Sequence, residues 1–389
     1  MGKVLVSGVG MVKFEKPGKQ APYREMVSKA VGDALKDAGL AYTDIQQAFA
    51  AYIYGDSCSG QRALYDVGLT GIPVINVNNN CSSGSSAIYL ARQAILSGAV
   101  DCVLALGFEE MPSGAIASQW DDRESPFTIF DEVLDRLEYP VAPLALRCFG
   151  AAGHSYLERY DAKPELFAQV AAKTRSHAVN NPYALFTTPL SVADVMSSPM
   201  LYMNYLTRLM CCPPTCGAAA AVICSDDFAK HHGITRGVVI AGQGMTTDKL
   251  DSFADPMNLV GANMSRDAAS IAYSQAGIGA DDVDVVELHD CFTTNEVISY
   301  EALDLCPEGG ASRFVTDKDN TYGGKVVVNP SGGLMSKGHP IGATGLAQCF
   351  ELVTHLRGEA GARQVDGANV ALQHNLGLGG AAVVTVYKR

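Results

Sequence analysis

Two kinds of hydrophobic run alternate along this chain, and each predicts its own element. Val4-Leu-Val-Ser-Gly-Val-Gly10 is apolar and ends in glycine, which predicts a buried strand. In Ala30–Leu40, alanine recurs every four residues and Gly39 follows, which predicts a closely packed helix with a glycine cap. Ala48–Ile53 predicts the next strand. Strands that alternate with helices indicate the α/β class.

The same elements recur in the second half of the chain. Ala268–Ile278 repeats the alanine spacing and the glycine at an offset of 238 residues, since 268 − 30 and 276 − 38 agree. Val238–Met245 repeats the first strand and its Gly-x-Gly ending. Helices predicted to begin at Cys81 and at His339 are each followed by a buried strand, and these two residues lie 258 apart. We therefore predict two duplicated βαβαβ-rich halves.

The repeat is interrupted between residues 112 and 209, where prolines are scattered among short helical patterns. This segment is too long for a simple connection, and we expect a lid or binding subdomain. The predicted domains are an N-terminal half (1–111 with 210–231), an inserted loop domain (112–209) and a C-terminal half (232–389).

Composition narrows the possible partners and compartments. The formal charge of −12 argues against a nucleic-acid partner. No apolar run reaches the roughly 18 residues that a membrane-spanning helix needs. Eleven cysteines in a long chain without a secretory signal favour a reduced, soluble, intracellular protein over a disulfide framework.

Asn76–Ala87 places Cys81 between polar amides and small residues, just before a predicted helix. The field of a helix N-terminus favours a thiolate, and a neighbouring imidazole would take the thiol proton. The small residues Ser82–Ser86 would keep the helix end open to a substrate carbonyl. The alternative is a small buried core cysteine, but the polar setting favours a nucleophile.

His339 lies in the glycine-rich stretch Asn329–Gly345, which predicts a loop close to a ligand. The repeat puts His339 at the position equivalent to Cys81, so two helix N-termini would point at one site. A histidine that only caps a helix is the alternative.

Two further clusters suggest chemistry. In Glu287–Phe292, His289 and Cys291 are two residues apart at a predicted strand end and would point to one side. A zinc-ligand pair and a hydrogen-bonded structural histidine are the alternatives. Zinc needs two more ligands, and the candidate segment Cys211–Cys216 runs into an apolar strand. Gln373–Gly380 carries glycines whose backbone N–H groups could converge on an oxyanion. It opens no helix, so a dinucleotide loop is not predicted.

Together these motifs resemble the thiolase superfamily over essentially the whole chain, and within it the sterol carrier protein 2 (SCP2) thiolases. The resemblance rests on Asn-Asn-Asn-Cys81, His289-Asp-Cys-Phe, Gly338-His-Pro-Ile-Gly-Ala-Thr-Gly and Gln373-His-Asn-Leu-Gly-Leu-Gly-Gly. It implies the thiolase fold, an α/β architecture whose two halves form a layered α-β-α-β-α core with an inserted loop domain.

The resemblance also implies catalytic roles. Cys81 would become acylated after activation by His339. Cys291 would be the acid/base, because Asn375 stands where ordinary thiolases carry a Cys-x-Gly cysteine. His289 and His339 would line the oxyanion hole for the thioester oxygen. The backbone N–H groups of Cys81 and Gly377 would form the other hole.

By the same resemblance, the substrates are 3-oxoacyl-CoA, acyl-CoA and coenzyme A as co-substrate. No metal and no permanently bound cofactor are implied. A homodimer and a place in fatty acid β-oxidation or sterol metabolism are expected.

The chain ends at Arg389 without the lipid-carrier domain fused to the animal protein and without a Ser-Lys-Leu ending. We therefore expect a stand-alone bacterial enzyme in the cytoplasm, or a peroxisomal one if the chain is a eukaryotic fragment. A ketoacyl synthase or a steroid side-chain aldolase with an OB-fold partner would not need Cys291. An inactive lipid-binding scaffold would be expected to lack Cys81 or His339.

Overall fold

The computed structural model describes residues 2–114, 120 and 122–389. Its strands are, in chain order, β1 (Val4–Met11), β2 (Gln47–Ala51), β3 (Val74–Val77), β4 (Cys102–Glu109), β5 (Met200–Tyr202), β6 (Leu206–Thr207), β7 (Gly217–Ser225), β8 (Val238–Thr246), β9 (Val285–Glu287), β10 (Val327–Val328), β11 (Val370–Gly377) and β12 (Ala381–Lys388). Its α-helices are α1 (Tyr23–Ala38), α2 (Ser59–Leu64), α3 (Ser83–Leu96), α4 (Thr128–Arg136), α5 (Leu144–Tyr160), α6 (Glu165–His177), α7 (Val192–Met196), α8 (Asp226–His231), α9 (Pro256–Leu259), α10 (Ala262–Ala276), α11 (Thr293–Ala302), α12 (Ala311–Thr316) and α13 (Thr344–Arg357).

Ten strands form one hydrogen-bonded series in the order β10-β9-β11-β12-β8-β1-β7-β4-β2-β3. A short antiparallel ladder between β1 and β8 joins its two five-stranded halves, with Leu5 opposite Val239 and Val6 opposite Val238. Read from its outer edge, the N-terminal half runs β3-β2-β4-β7-β1 and the C-terminal half runs β10-β9-β11-β12-β8. Equivalent strands occupy equivalent places, so the predicted α/β duplication is confirmed.

Helices lie outside and between the two half-sheets. Helix α1 packs on β1 and β7, and α10 packs on β8 and β12. Helices α3 and α13 pack against each other in the middle, with α3 against β2 and β4 and α13 against β11 and β7. These contacts give the expected α-β-α-β-α layering.

The repeated glycines and alanines fit each other across the outer layers. A Cβ on Gly8 would lie 2.2 Å from the backbone oxygen of Ala34, and one on Gly242 would lie 2.0 Å from that of Ala272. Only glycine in the strand and a small residue in the helix allow so close an approach. The repeated glycines and alanines are therefore explained by the close packing of helix on sheet in both halves.

The offset of 258 residues that paired Cys81 with His339 is wrong by one short turn. Helices α3 and α13 begin at Ser83 and Thr344, and these starts are 261 residues apart (344 − 83). A 3₁₀ turn, Ile341–Ala343, precedes α13 and takes up the difference. Cys81 thus lies two residues before its helix and His339 five residues before the equivalent helix.

The segment between β4 and β7 is more helical than the proline pattern predicted. It holds α4 to α7 and the small β5–β6 hairpin, and α5 and α6 both pack on α11. Among the residues that the structure describes, no helix is long and apolar enough to cross a bilayer.

Candidate active site

Cys81 sits in a tight turn between β3 and α3. The preceding residue, Asn80, has a φ of 49°, in the left-handed region that asparagine tolerates better than most residues. The Asn80 side chain donates to the carbonyl oxygen of Leu378 at 2.8 Å, which ties this turn to the β11–β12 hairpin. The turn therefore projects the thiol between the two halves of the molecule.

The sequence predicts that the serines after Cys81 keep the helix end open, and the structure shows that they do not. They are buried and hydrogen-bonded: Ser82 Oγ donates to Asn79 O at 2.8 Å, and Ser83 Oγ donates to Asn80 O at 2.6 Å. A Cβ on Gly84 would lie 2.9 Å from the backbone nitrogen of Gly345. The small residues therefore hold the turn and let α3 cross α13 closely.

The Cys81 thiol is neutral in this structure, contrary to the expected thiolate. Burial, followed by the negative charge of Glu109, raises the pKa of Cys81 to about 12. The thiol donates to Asn80 Oδ1 at a sulfur–oxygen distance of 3.7 Å. Desolvation of a thiolate outweighs the helix field here and favours the protonated thiol.

Glu109, at the end of β4, is a buried carboxyl that sequence reasoning missed. It accepts the backbone N–H of Tyr54 at 2.9 Å and that of Gly342 at 2.9 Å, which links the His339 loop to the N-terminal half. Burial raises the pKa of Glu109 to about 7, and the donated backbone hydrogen bonds oppose the shift.

The partners of His339 define its tautomer. Thr344 Oγ1 donates its only proton to Pro340 O at 3.0 Å, so it accepts from His339 Nδ1 at 2.7 Å. His339 Nε2 therefore carries a lone pair, and it is buried without a hydrogen-bond partner. Burial lowers the pKa of His339 to about 3, which keeps the ring neutral. This nitrogen has the form that a general base requires.

His289 follows β9 and is buried beside Asn375 of β11, with 3.0 Å between His289 Nδ1 and Asn375 Nδ2. Burial lowers the pKa of His289 well below its usual value, and the neighbouring His339 adds to the shift. The rings of the two histidines are 5.0 Å apart at 81°.

Cys291 also faces this site, and its pKa differs from the ordinary value of a thiol. Burial raises it well above that value, with further contributions from Cys212 and Cys81. The backbone N–H of Cys212 donates to Cys291 O at 2.9 Å, and both residues line one cavity. Cys291 is therefore a protonated thiol at rest.

The structure brings the four predicted side chains together. Cys81, His289, Cys291 and His339 all line a cavity of about 440 Å³. The Cys81 sulfur and one ring nitrogen of each histidine lie within 4.8 Å of one another. By proximity alone these three could also hold a metal ion, so the absence of a metal stays a prediction. Within residues 2–114, 120 and 122–389, Cys211–Cys216 supplies no member of such a group.

Gly377 does not line this cavity, but it packs against the turn that carries Cys81. A Cβ there would lie 2.2 Å from Asn79 O and 2.8 Å from Ser82 Oγ. The next residue, Leu378, lines the cavity, and its backbone N–H lowers the pKa of the Cys81 thiol. The glycine-rich stretch is therefore part of the site through its backbone.

A second cavity of about 640 Å³ meets the first. Residues that line both include Pro143, Cys212, Phe292 and His339. Both cavities are mainly apolar. The first carries Phe127, Leu144 and Phe149, and the second also carries three cations, Lys16, Arg175 and Arg208.

Comparison with known proteins gives the family. The family model "Thiolase, N-terminal domain" matches residues 4–196, and "Thiolase C-terminal domain-like" matches residues 242–389. Sterol carrier protein 2 of Oryctolagus cuniculus is 51% identical over 393 residues, 99% of this chain and 72% of the relative. Acetyl-CoA acetyltransferase of Methanothermobacter thermautotrophicus is 34% identical over 400 residues, 100% of both chains.

Solved structures agree in fold. A structure named Ltp2-ChsH2(DUF35) aldolase matches with a TM-score of 0.82 at 21% identity, covering 100% of this chain and 98% of that one. Human mitochondrial 3-ketoacyl-CoA thiolase in complex with CoA matches with a TM-score of 0.75 at 17% identity and the same coverage. The chain has the thiolase fold and belongs to the thiolase family, with SCP2 thiolases among its similar relatives.

Proposed function

We propose that this protein is a CoA-dependent thiolase that cleaves or forms 3-oxoacyl-CoA through an acyl group carried on Cys81. The observation that carries the proposal is that two thiols and two imidazoles line one cavity. In the order Cys81, His339, His289 and Cys291, they have the roles named next. These are a nucleophile, a base, an oxyanion donor and an acid, which the reaction needs together.

In the first step, the Cys81 sulfur attacks the 3-keto carbon while its proton moves to Nε2 of His339. The new imidazolium carries N–H groups on both nitrogens, one bonded to Thr344 and one free to donate to the thioester oxygen. The Cα–Cβ bond then breaks, and its electron pair becomes a thioester enolate. His289 supplies a second donor to the enolate oxygen.

In the second step, the Cys291 thiol protonates the enolate carbon and releases the first acyl-CoA. The remaining Cys291 thiolate is a strong base, because burial raises its pKa, and it takes the proton from incoming CoA–SH. The CoA thiolate attacks the acyl group, and Cys81 leaves and regains its proton from His339. Every group returns to its starting state.

The ketone oxygen needs its own hydrogen-bond donors when Cys81 attacks. We assign these to the backbone N–H groups of Cys81 and Gly377. The close fit of Gly377 against the Cys81 turn supports this assignment, because a side chain there would overlap Asn79 O.

The two cavities fit the two ends of the substrate. The first cavity, which no Lys or Arg among the described residues lines, suits the acyl chain. The larger cavity, with Lys16, Arg175 and Arg208, suits the anionic CoA portion. The 112–209 insertion supplies the cavity-lining residues that lie between Phe127 and Phe149 and between Arg175 and Leu209. We therefore assign the insertion as the substrate-covering domain between halves 1–111 with 210–231 and 232–389.

We also propose a homodimer. β3 is an outer strand of the sheet, and its Ile75 side chain is 39% exposed. An edge strand with an exposed apolar residue is suited to pair with another strand. From the resemblance to SCP2 thiolases, we further propose a role in fatty acid β-oxidation or sterol metabolism, in a bacterial cytoplasm or a eukaryotic peroxisome.

An aldolase-type carbon–carbon lyase is the second candidate, because a structure named as an aldolase shares this fold. That likeness shows the fold alone. Cys291 separates the two, because an aldol cleavage needs neither an acyl-enzyme nor a thiol that deprotonates CoA.

The deciding experiment follows acyl transfer by intact mass. Wild-type protein mixed with acetoacetyl-, medium-chain or 2-methyl-branched 3-oxoacyl-CoA should gain an acyl group and, with CoA, release two acyl-CoA products. Cys81→Ala should gain none. Cys102→Ala, which removes a buried thiol at the far end of β4, should behave as wild type. An adduct in Cys81→Ala, or carbon–carbon cleavage by the wild type that continues beyond one turnover without CoA, contradicts the proposal.

A further inference from the structure

Asn375 occupies a fully buried position on β11 between two polar groups. Its Oδ1 lies 2.9 Å from Ser85 Oγ on α3, and its Nδ2 lies 3.0 Å from His289 Nδ1. Asn375 and Ser85 are 0% exposed and His289 is 1% exposed, so no solvent competes for these hydrogen bonds. Which way the amide points therefore decides which nitrogen of His289 holds the proton.

A backbone carbonyl anchors the direction of this chain of hydrogen bonds. Gly345 O can only accept, so the Gln373 atom that lies 2.7 Å from it is the amide nitrogen. The same nitrogen lies 2.7 Å from Ser85 Oγ and donates to it. The Gln373 oxygen accepts from Tyr387 at 2.6 Å, which agrees with this orientation.

The rest of the chain follows atom by atom. Since Ser85 Oγ accepts from Gln373, its own proton goes to Asn375 Oδ1. The Asn375 amide nitrogen must then face His289 and donate to Nδ1. A nitrogen that accepts a hydrogen bond carries no proton, so neutral His289 holds its single proton on Nε2.

We propose that Asn375 is a positioning residue that fixes His289 as its Nε2–H tautomer and so makes it a hydrogen-bond donor at the reacting centre. The inference rests on the proposed function for the identity of the acceptor, the thioester oxygen. His339 has the opposite tautomer, because its Nδ1 faces the accepting oxygen of Thr344. The two adjacent imidazoles thus have different tautomers because their Nδ1 partners differ. The partner of His289 is an amide donor, and the partner of His339 is a hydroxyl acceptor.

Asn375→Asp tests this with almost no change in shape. The carboxylate can accept from Ser85 as before, but it presents an acceptor to His289 Nδ1. Neutral His289 then carries its proton on Nδ1 and loses the donor at Nε2. Losing one oxyanion donor typically slows the chemical step by roughly 100- to 1000-fold, and we expect that loss in carbon–carbon cleavage at neutral pH. Cleavage should recover as the pH falls, because the imidazolium regains Nε2–H.

The tautomer is read directly from two-bond ¹H–¹⁵N correlation spectra of protein labelled with ¹⁵N-histidine. His289→Gln identifies the signals. Wild type should show the Nε2–H form, and Asn375→Asp should show the Nδ1–H form at neutral pH and the doubly protonated ring only as the pH falls. If Asn375→Asp does not fold, Asn375→Ala should still show a mixture of tautomers, with slower cleavage.

An Nδ1–H form in the wild type overturns the proposal. A wild-type cleavage rate and an unchanged pH profile in Asn375→Asp overturn it as well. The spectrum does not depend on which reaction is catalysed. An Nε2–H form in a protein that performs no thiolysis would therefore reject the proposed function and leave the tautomer assignment standing.

Discussion

Replacing Thr344 by valine removes the hydrogen-bond acceptor of His339 without changing the volume of the side chain. In the wild type, Thr344 Oγ1 accepts from Nδ1 at 2.7 Å, and both residues are 2% exposed. When His339 takes the Cys81 proton, that hydrogen bond belongs to a buried cation. A hydrogen bond to a charged group contributes about 1.5–3 kcal/mol, and tenfold in rate corresponds to about 1.4 kcal/mol. Thr344→Val should therefore acylate roughly 10- to 150-fold more slowly.

The assay is the rate at which the acyl-enzyme appears by intact mass after rapid mixing with acetoacetyl-CoA. Thr344→Ser is the matched control, because serine keeps the hydroxyl that accepts from His339 and donates to Pro340 O. It should stay near the wild-type rate. Thermal unfolding separates the kinetic effect from the loss of the bond to Pro340, worth about 1 kcal/mol. A folded Thr344→Val protein that acylates at the wild-type rate would refute the assignment of His339 as the base.

Three other predictions follow from the site and the fold. Cys291→Ala should still be acylated slowly by a simple acyl-CoA but should lose carbon–carbon cleavage, measured as product release; normal cleavage would assign the acid/base role elsewhere. Burial raises the pKa of Cys81 to about 12, so its thiolate fraction should rise about tenfold per pH unit from about pH 7 to pH 9. The rate of Cys81 alkylation by iodoacetamide, mapped by peptide mass, should rise in the same way. A plateau in that range would show a preformed thiolate. Gly342→Ala would place a Cβ 2.6 Å from Tyr52 Cα and 2.7 Å from Ala51 O, which should lower the free energy of unfolding by more than about 3 kcal/mol in urea. Gly32→Ala, with nothing within 4 Å in the exposed face of α1, should instead stabilise by about 0.5–1 kcal/mol.

Much of the fold could be predicted because the chain is duplicated, so both halves carry the sequence pattern of the same helix-to-sheet packing. The Gly-x-Gly strand ends and the alanine stripes appear in both halves, and each pair fits as a small residue against a small residue. The strand order is then the same in both half-sheets. The register of the second pair of helices was misjudged, because motif alignment cannot detect an added 3₁₀ turn between His339 and α13.

The members of the site could be predicted, but their protonation could not. Cys81, His289, Cys291 and His339 stand in motifs whose residue types point to acyl transfer, and they do share one cavity. The neutral thiol of Cys81 depends on burial and on Glu109, whose side chain comes from a different strand. No local pattern around Cys81 reports the distance to Glu109. The contact between Thr344 and His339 could have been suggested by the sequence, because both residues lie in the motif Gly338-His-Pro-Ile-Gly-Ala-Thr-Gly.

The burial of all these groups would also let the proposed reaction run in both directions at one site. At rest, Cys81 and Cys291 are neutral thiols and both histidines are neutral imidazoles, because low-dielectric surroundings disfavour each charged form. A preformed thiolate–imidazolium pair would be costly to bury and open to side reactions. In the proposed reaction, charge first forms when Cys81 attacks the ketone, whose oxygen meets hydrogen-bond donors at that moment. The complete proposed cycle begins and ends with two neutral thiols, and the substrates present decide whether the carbon–carbon bond is broken or made.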